Sequence, residues 1–294
     1  MQLKNIIATN EQEGLMGHLF WFSIGNNLIH QQKLKEKLEN AGLSKKFMPN
    51  SIRISDAFRR ATTEVKRRKN TEFDKVYQNL LIAEVVASKE LIVRKVVIET
   101  IDQENEELSY EVGKGEIELN KESEVFKFTS NDPEITEVCK EVKERFELYK
   151  SHYGAQTLRT MIPKIMNQLA VTPMKKNGGV YFIPHNKTEG LNNLVDFINS
   201  LEDSEAYKIP VVTSNDNKDM VNKKLDDHLS QLLEQCQSTD ELNKGQMKAL
   251  IEETNRAIED YKEYRDVTQK RSDYFLEKVA HLRDEVLRVT TKMG

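Results

Sequence analysis

The last third of the chain sets the tightest constraint on its fold. Val221, Leu225, Leu229, Leu232 and Cys236 recur at spacings of three and four, the period of a helix with one buried stripe. After the turn Ser238-Thr239-Asp240, the rhythm resumes at Met247, Leu250, Thr254, Ala257, Tyr261, Tyr264 and Thr268. It then runs through Phe275, Val279, Leu282, Val286 and Val289, with Arg271 as the break in it. A helix over residues 245–291 would be roughly 70 Å long at ~1.5 Å per residue, too long for one globular core. The spacing therefore predicts a helical hairpin or coiled coil over 217–294, with Leu250, Tyr261, Tyr264, Phe275, Leu282 and Val286 on a self-association seam.

Upstream the period changes from helical to alternating. Leu80–Val86 and Leu91–Ile98 are rich in β-branched residues and bounded by polar turns. Shorter alternating runs follow at 108–112, 116–119 and 125–128, with Gly113 and Gly115 between two of them. Short sequential strands with tight links predict an antiparallel β-meander rather than a parallel sheet. A helix then starts at Pro133, behind Asp132 as its cap, with Ile135, Val138, Val142, Phe146 and Tyr149 at helical spacing. This part is expected to occupy 77–153.

Residues 154–216 read as a helix containing Pro163, a hairpin about Lys175-Lys176-Asn177-Gly178, a further helix over 189–201 and a strand over 207–212. Asn-Gly between two apolar segments is a strong hairpin signal. Helix followed by a hairpin with a basic tip is the outline of a winged-helix-like αβ unit. The fold class expected is thus α+β, with residues 1–76 as an N-terminal helical, basic region. In that region Ser55 or Asp56 caps a helix running to about Lys69, with Ala57, Phe58, Ala61 and Val65 inward.

The net charge of −4 conceals a partition. Residues 31–70 hold twelve Lys and Arg against four acids, and residues 150–187 hold six with no acid at all. Two basic islands in an acidic chain point to an anionic partner. Helical phase brings Arg59, Arg60, Lys66, Arg67 and Arg68 near one another, and Arg159, Lys164, Lys175 and Lys176 are candidates for a second part of a phosphate-binding surface.

Catalytic and cofactor signatures are missing from the sequence. The six histidines (His18, His30, His152, His185, His228 and His281) form no HExxH or His/Cys ligand spacing. Asn177-Gly178-Gly179 is a turn and not a phosphate loop, and no GxSxG or SxxK motif is present. Cys139 and Cys236 are far apart and outside any CxxC pattern, which argues against a disulfide framework. No apolar run approaches the length of a membrane span, and the first residues show no signal-peptide core. The expectation is a non-enzymatic protein of a reducing, cytoplasmic compartment, with no cofactor, no metal and no membrane contact.

Several features recur together: Leu43, Met48-Pro49, Asp56-Ala57-Phe58-Arg59-Arg60-Ala61, the strands over 80–98, Gly178-Gly179-Val180-Tyr181-Phe182-Ile183-Pro184 and the terminal helices. In this order the chain resembles a family of uncharacterised proteins found in phages, plasmids and actinobacterial genomes. The resemblance covers most of the chain and implies a mobile-element accessory protein acting in the host cytoplasm. It brings no established activity and no site residues. The function expected first is nucleic-acid binding through the basic islands, with self-association through the C-terminal helices. The second is an oligomeric, protein-binding inhibitor of a host defence enzyme.

Overall fold

A computed structural model describes residues 14–65, 67–73, 75–104, 106–175, 179–264 and 272–293, without the side chains of 272, 292 and 293. The fold is mixed α and β with antiparallel sheets, and the chain divides into two compact units. The first comprises the chain up to Asn27, Lys33–Met48 and everything from Gly154 onward; the second comprises Leu28–Gln32 and Pro49–Tyr153.

The second unit is built on the expected meander. Strands β3 (Arg67–Asn70), β4 (Val76–Ala87), β5 (Leu91–Asp102), β6 (Glu107–Asn120) and β7 (Phe126–Ser130) form one antiparallel sheet in chain order. The register pairs Leu80 with Ile98, Ile82 with Val96, and Ile92 with Leu119, so one face of three strands is largely apolar, interrupted by buried Arg94, which donates to Thr62 and Glu84. Helices α2 (Ile54–Glu64) and α3 (Pro133–Tyr149) cover that face. Phe58 of α2 meets Phe126 and Phe146 edge-on, each at 5.9 Å between ring centroids. Asp132 caps α3 by accepting from the Glu134 and Ile135 amides, with Pro133 in the first turn, as its sequence requires.

The structure corrects the sequence reading at two places in this unit. Helix α2 starts at Ile54, so Ser55 and Asp56 lie inside its first turn rather than capping it. It also ends at Glu64, not near Lys69, because Arg67–Asn70 pairs with Tyr77–Leu80 as an edge strand. A ladder of main-chain hydrogen bonds replaces what helical continuation would supply, and alternation rather than helical phase now sets where these basic residues point. The two glycines read as a link between strands instead lie within β6. Val97 pairs with Val112 and Val96 with Gly115, leaving Gly113 and Lys114 as a bulge.

The first unit contains a four-stranded antiparallel sheet in the order β11-β1-β10-β9, made from β1 (Leu15–Ile24), β9 (Thr172–Pro173), β10 (Tyr181–Pro184) and β11 (Ser204–Val212). Strands β9 and β10 pair antiparallel, with Tyr181 opposite Pro173, while the turn residues Lys176, Asn177 and Gly178 lie outside the described residues. The other side of β10 is taken by β1, which lies more than 130 residues upstream, so these two strands are part of a larger sheet. Helices α4 (Ala155–Met166) and α5 (Thr188–Ser200) accompany this sheet, and Lys208 of β11 donates to Asn192 of α5.

The C-terminal helices complete the same unit. Helix α6 (Asn215–Gln237) is followed by α7 (Lys244–Asp260), a 3-10 turn (Tyr261–Tyr264) and α8 (Ser272–Met293). The long second arm is therefore divided, and α8 folds back against both α6 and α7. Lys278 of α8 donates to Asp226 and Ser230 of α6, and Arg288 donates to the Cys236 carbonyl at 2.8 Å, so α6 and α8 run parallel. Leu250, Tyr261, Tyr264, Phe275, Leu282 and Val286, read as a self-association seam, are all buried inside this three-helix arrangement. The apolar spacing from Tyr261 to Tyr264 fits a 3-10 turn because residues three apart eclipse there, while Thr268 and Arg271 lie outside the described residues.

Candidate functional site

The first basic island becomes a lattice of ion pairs. Arg59 pairs with Asp56 at 3.1 Å and Arg60 with Glu64 at 2.9 Å, while Arg67 binds Glu141 and Lys69 meets Glu134 at 3.2 Å on α3. Arg145 joins Glu64 and Glu141 to the same network. Arg60 also stacks on the Tyr149 ring at 3.8 Å. Glu64, which accepts from Tyr149 and Arg60, is held below the ordinary carboxylate range by those bonds in spite of the desolvation that opposes them. Of the charge counted as surplus along the sequence, Arg67 and Lys69 are matched across elements by acids of α3, while Arg59 and Arg60 pair within α2. Arg68 differs: on the opposite face of the edge strand it lies 3.6 Å from the centre of the Tyr77 ring. Lys66 lies outside the described residues.

The second island is divided: Lys150 belongs to the second unit, where it pairs with Glu147 at 2.9 Å, and the others lie in the first. Arg159 donates to the Ile24 carbonyl at 2.6 Å, which ties α4 to the end of β1. Lys187 pairs with Glu263 at 3.0 Å. Lys164 and Lys175 are exposed, and Lys176 lies outside the described residues.

Within the first unit, α6, α7 and the β9 region line a small cleft of about 110 Å³. Thr172, His228, Glu253, Arg256, Asp260 and Tyr264 contribute to its lining. Burial pushes the Asp260 carboxyl up to about 6 despite the nearby Arg256 and Lys187. His228 lies 4.0 Å from Glu253 and helps hold that carboxyl below its usual range. At roughly 30 Å³ per water the space suits about three waters, well short of the ~300 Å³ of an ordinary ligand site. Among the described residues no group of three or more His, Cys, Asp or Glu is placed to hold a metal. The buried Tyr264 hydroxyl closes the cleft floor, donating to the Ala170 carbonyl at 2.6 Å and accepting from Thr172 at 2.8 Å. Tyr264→Phe is expected to cost about 1–3 kcal/mol in urea denaturation, because both partners lose their bond in a dry environment. A cost near zero would make these bonds incidental.

Within the second unit, the meander face turned away from α2 and α3 carries exposed apolar residues. Three successive rungs line up across β4, β5 and β6: Tyr77–Ile101–Leu108, Asn79–Glu99–Tyr110 and Leu81–Val97–Val112. Leu108, Tyr110 and Val112 are 53%, 55% and 63% exposed. In the middle rung Glu99 accepts from Asn79 at 2.7 Å and from the Tyr110 hydroxyl, and this bond raises the Tyr110 pKa. Val97 in the third rung is buried and Asn79 and Glu99 are polar, so the exposed apolar surface of this face is carried by Leu108, Tyr110 and Val112 along β6.

A family model described as a family of unknown function, DUF6744, matches residues 15–293. The chain belongs to this family. No curated protein and no solved structure matches it. For this DUF6744 member, then, the chemistry of its own surfaces has to carry any functional reading. Those surfaces include paired charges, a cleft of water size and an open sheet face with apolar rungs around a polar one. Sequence reasoning missed the open face because it rests on cross-strand register, which alternation within one strand does not report. One signal was available: Leu108, Tyr110 and Val112 alternate as strictly as any buried strand.

Proposed function

We propose that this DUF6744 chain is a non-enzymatic protein-binding module that offers the open face of its meander to a partner protein. The observation that supports this reading is the three-rung patch, in which exposed Leu108, Tyr110 and Val112 extend a row of Leu81, Val97 and Ile101. An exposed tyrosine between two exposed apolar residues matches the aromatic enrichment of interface centres. The setting implied by the resemblance, a mobile-element accessory protein in a host cytoplasm, makes a host protein the partner class. A photo-crosslinking residue at Val112 tests it in cells, with exposed Lys140 on α3 as the control position. The expected result is a discrete protein adduct at Val112 only, lost when Tyr110→Lys is added. Equal labelling at both positions would sink the reading. Val112→Glu alone should alter stability by no more than about 0.5 kcal/mol, since the site is exposed.

A second reading, nucleic-acid binding, is favoured by one observation. Arg68 over Tyr77, with Phe73 74% exposed and Lys75 beside it, lines a concavity of about 510 Å³ at the edge of the sheet. A cation next to exposed rings is the chemistry of a single-strand stacking platform. Fluorescence anisotropy with labelled single- and double-stranded DNA over about 50 to 300 mM salt separates the two readings. The protein-binding module predicts no salt-sensitive binding. Binding that weakens with salt and disappears in Arg68→Glu would put the second reading first. Binding lost in Arg59→Glu with Arg67→Glu would return it to the original island.

A further inference from the structure

The first half of β6 is an open strand edge. Strand β7 pairs only with Gly115–Leu119, so residues 107–112 have β5 on one side and no strand on the other. The Gln103 amide donates to the Lys75 carbonyl, which turns the odd residues of β5 toward β4 and the even ones toward β6. Bonding in an antiparallel ladder alternates, so Glu107, Ser109 and Glu111 bond to β5, while the N–H and C=O groups of Leu108, Tyr110 and Val112 point outward. Among the described residues these outward groups have no partner. Two other edges of the fold are guarded. On β11 the Asn199 side chain donates to the Ala206 carbonyl at 3.3 Å and accepts from its amide at 2.7 Å, Asn217 donates to the Val212 carbonyl at 2.9 Å, and Pro210 has no N–H to offer. Edge strand β3 is Arg67-Arg68-Lys69-Asn70. Cations, proline and side-chain plugs keep an edge from pairing; on β6 the outward-bonding residues are leucine, tyrosine and valine, each more than half exposed.

We propose that this edge pairs with the same edge of a second copy of the chain, antiparallel about a two-fold axis that passes beside Tyr110, normal to the sheet. Residues 108–112, Leu-Ser-Tyr-Glu-Val, read apolar, polar, tyrosine, polar, apolar in either direction. With Tyr110 opposite the partner's Tyr110, Leu108 lies opposite the partner's Val112 and Ser109 opposite the partner's Glu111. An axis normal to the sheet keeps the apolar residues of both copies on one face, and each contact occurs twice. The outward N–H and C=O groups of all three residues then bond across the axis. Hydrogen bonding and charge together fix the register. A slip of one residue sets the outward groups against groups already bonded to β5. A slip of two sets Glu111 opposite either the partner's Glu107 or the partner's Glu111, and like charges directly opposite destabilise a strand pair. Five residues a side bury well under the ~1,600 Å² of a standard interface, so the dimer belongs in the micromolar range. The pairing uses the main-chain edge of β6 and leaves its outer face open, so it goes beyond the protein-binding reading and does not depend on it.

Sedimentation equilibrium of the full chain from about 5 to 200 µM tests this. The wild type is expected to shift from monomer to dimer over that range. Leu108→Pro removes an N–H that the monomer does not use, so it should keep the wild-type circular dichroism spectrum and remain monomeric throughout. Exposed Ser109 reads the register. Ser109→Glu sets two carboxylates against the partner's Glu111 and its symmetry mate, and should weaken association about threefold to tenfold; Ser109→Lys should tighten it by a similar factor. A wild type that stays monomeric at the highest concentration overturns the proposal. So does a dimer insensitive to Leu108→Pro, or a shift in the same direction for Ser109→Glu and Ser109→Lys. The protein-binding reading is scored separately, because a crosslink from Val112 to a second copy has twice the mass of the chain and one to a host protein does not.

Discussion

Gly115→Ala is expected to destabilise the meander unit by about 2–3 kcal/mol, a large cost for one methyl group. A Cβ at this position would stand 2.4 Å from Cγ2 of Ile135 on α3, 3.2 Å from Val96 and 3.6 Å from Cys139. Cγ2 is fixed to the branch point of a buried side chain, so α3 itself has to lift or the sheet has to bend. Gly113, two residues earlier, is the control. It has a φ of +93° and open space where a Cβ would go, so Gly113→Ala should cost only the ~1 kcal/mol of a left-handed backbone. Hydrogen exchange of the β5 and β6 amides reads both effects locally. Ile135→Ala by itself should cost about 2–4 kcal/mol by leaving a cavity. Combined with Gly115→Ala it should cost at least about 1 kcal/mol less than the sum, because the new methyl group enters the space vacated. Strict additivity would show that α3 does not rest on Gly115.

These glycines also show what the sequence could and could not disclose. The strands of the meander were legible because each contains its own alternation, and α3 was legible because Asp132-Pro133 marks its start. The assignment of Gly113 and Gly115 to a link failed because a bulge and a close approach both use glycine and both interrupt an apolar pattern. Only the presence of Ile135 above Gly115 separates them. The basic islands carry a related lesson. Arg67 and Lys69 find their acids on α3, more than 60 residues away in sequence, so a window count does not report which of its charges the fold pairs. The terminal helices were legible as helices, but the 3-10 turn at Tyr261–Tyr264 was not. The Tyr264 hydroxyl answers to Thr172 and Ala170 on a different element. Local pattern identifies elements; the surfaces that could serve function depend on which elements meet.

Two buried titrations in the first unit are expected to oppose each other. His18 on β1 is 5% exposed, and its Nδ1 has no hydrogen-bond partner among the described residues. Burial, aided by the charge of Lys208 and by His185, lowers its pKa from 6.5 to about 4. Between those values the unfolded chain binds a proton that the folded chain refuses, so this group's contribution to stability is lost as the pH falls from about 6.5 to 4. Asp260 has the opposite sign. Its folded pKa is about 6 against an ordinary 3.8, so the folded state binds the extra proton, and stability is gained as the pH falls from about 6 to 4. Each shift corresponds to about 2 kcal/mol across its window after allowance for partial solvent access. Urea denaturation followed by Trp21, the single tryptophan and a residue of the same unit, isolates the comparison. Relative to wild type, His18→Leu should gain stability as the pH is lowered from about 6.5 to 4, and Asp260→Asn should lose it from about 6 to 4. Parallel pH profiles for His18→Leu and wild type would mean that β1 opens enough for His18 to be solvated. The same result for Asp260→Asn would mean that the cleft admits water freely to the carboxylate.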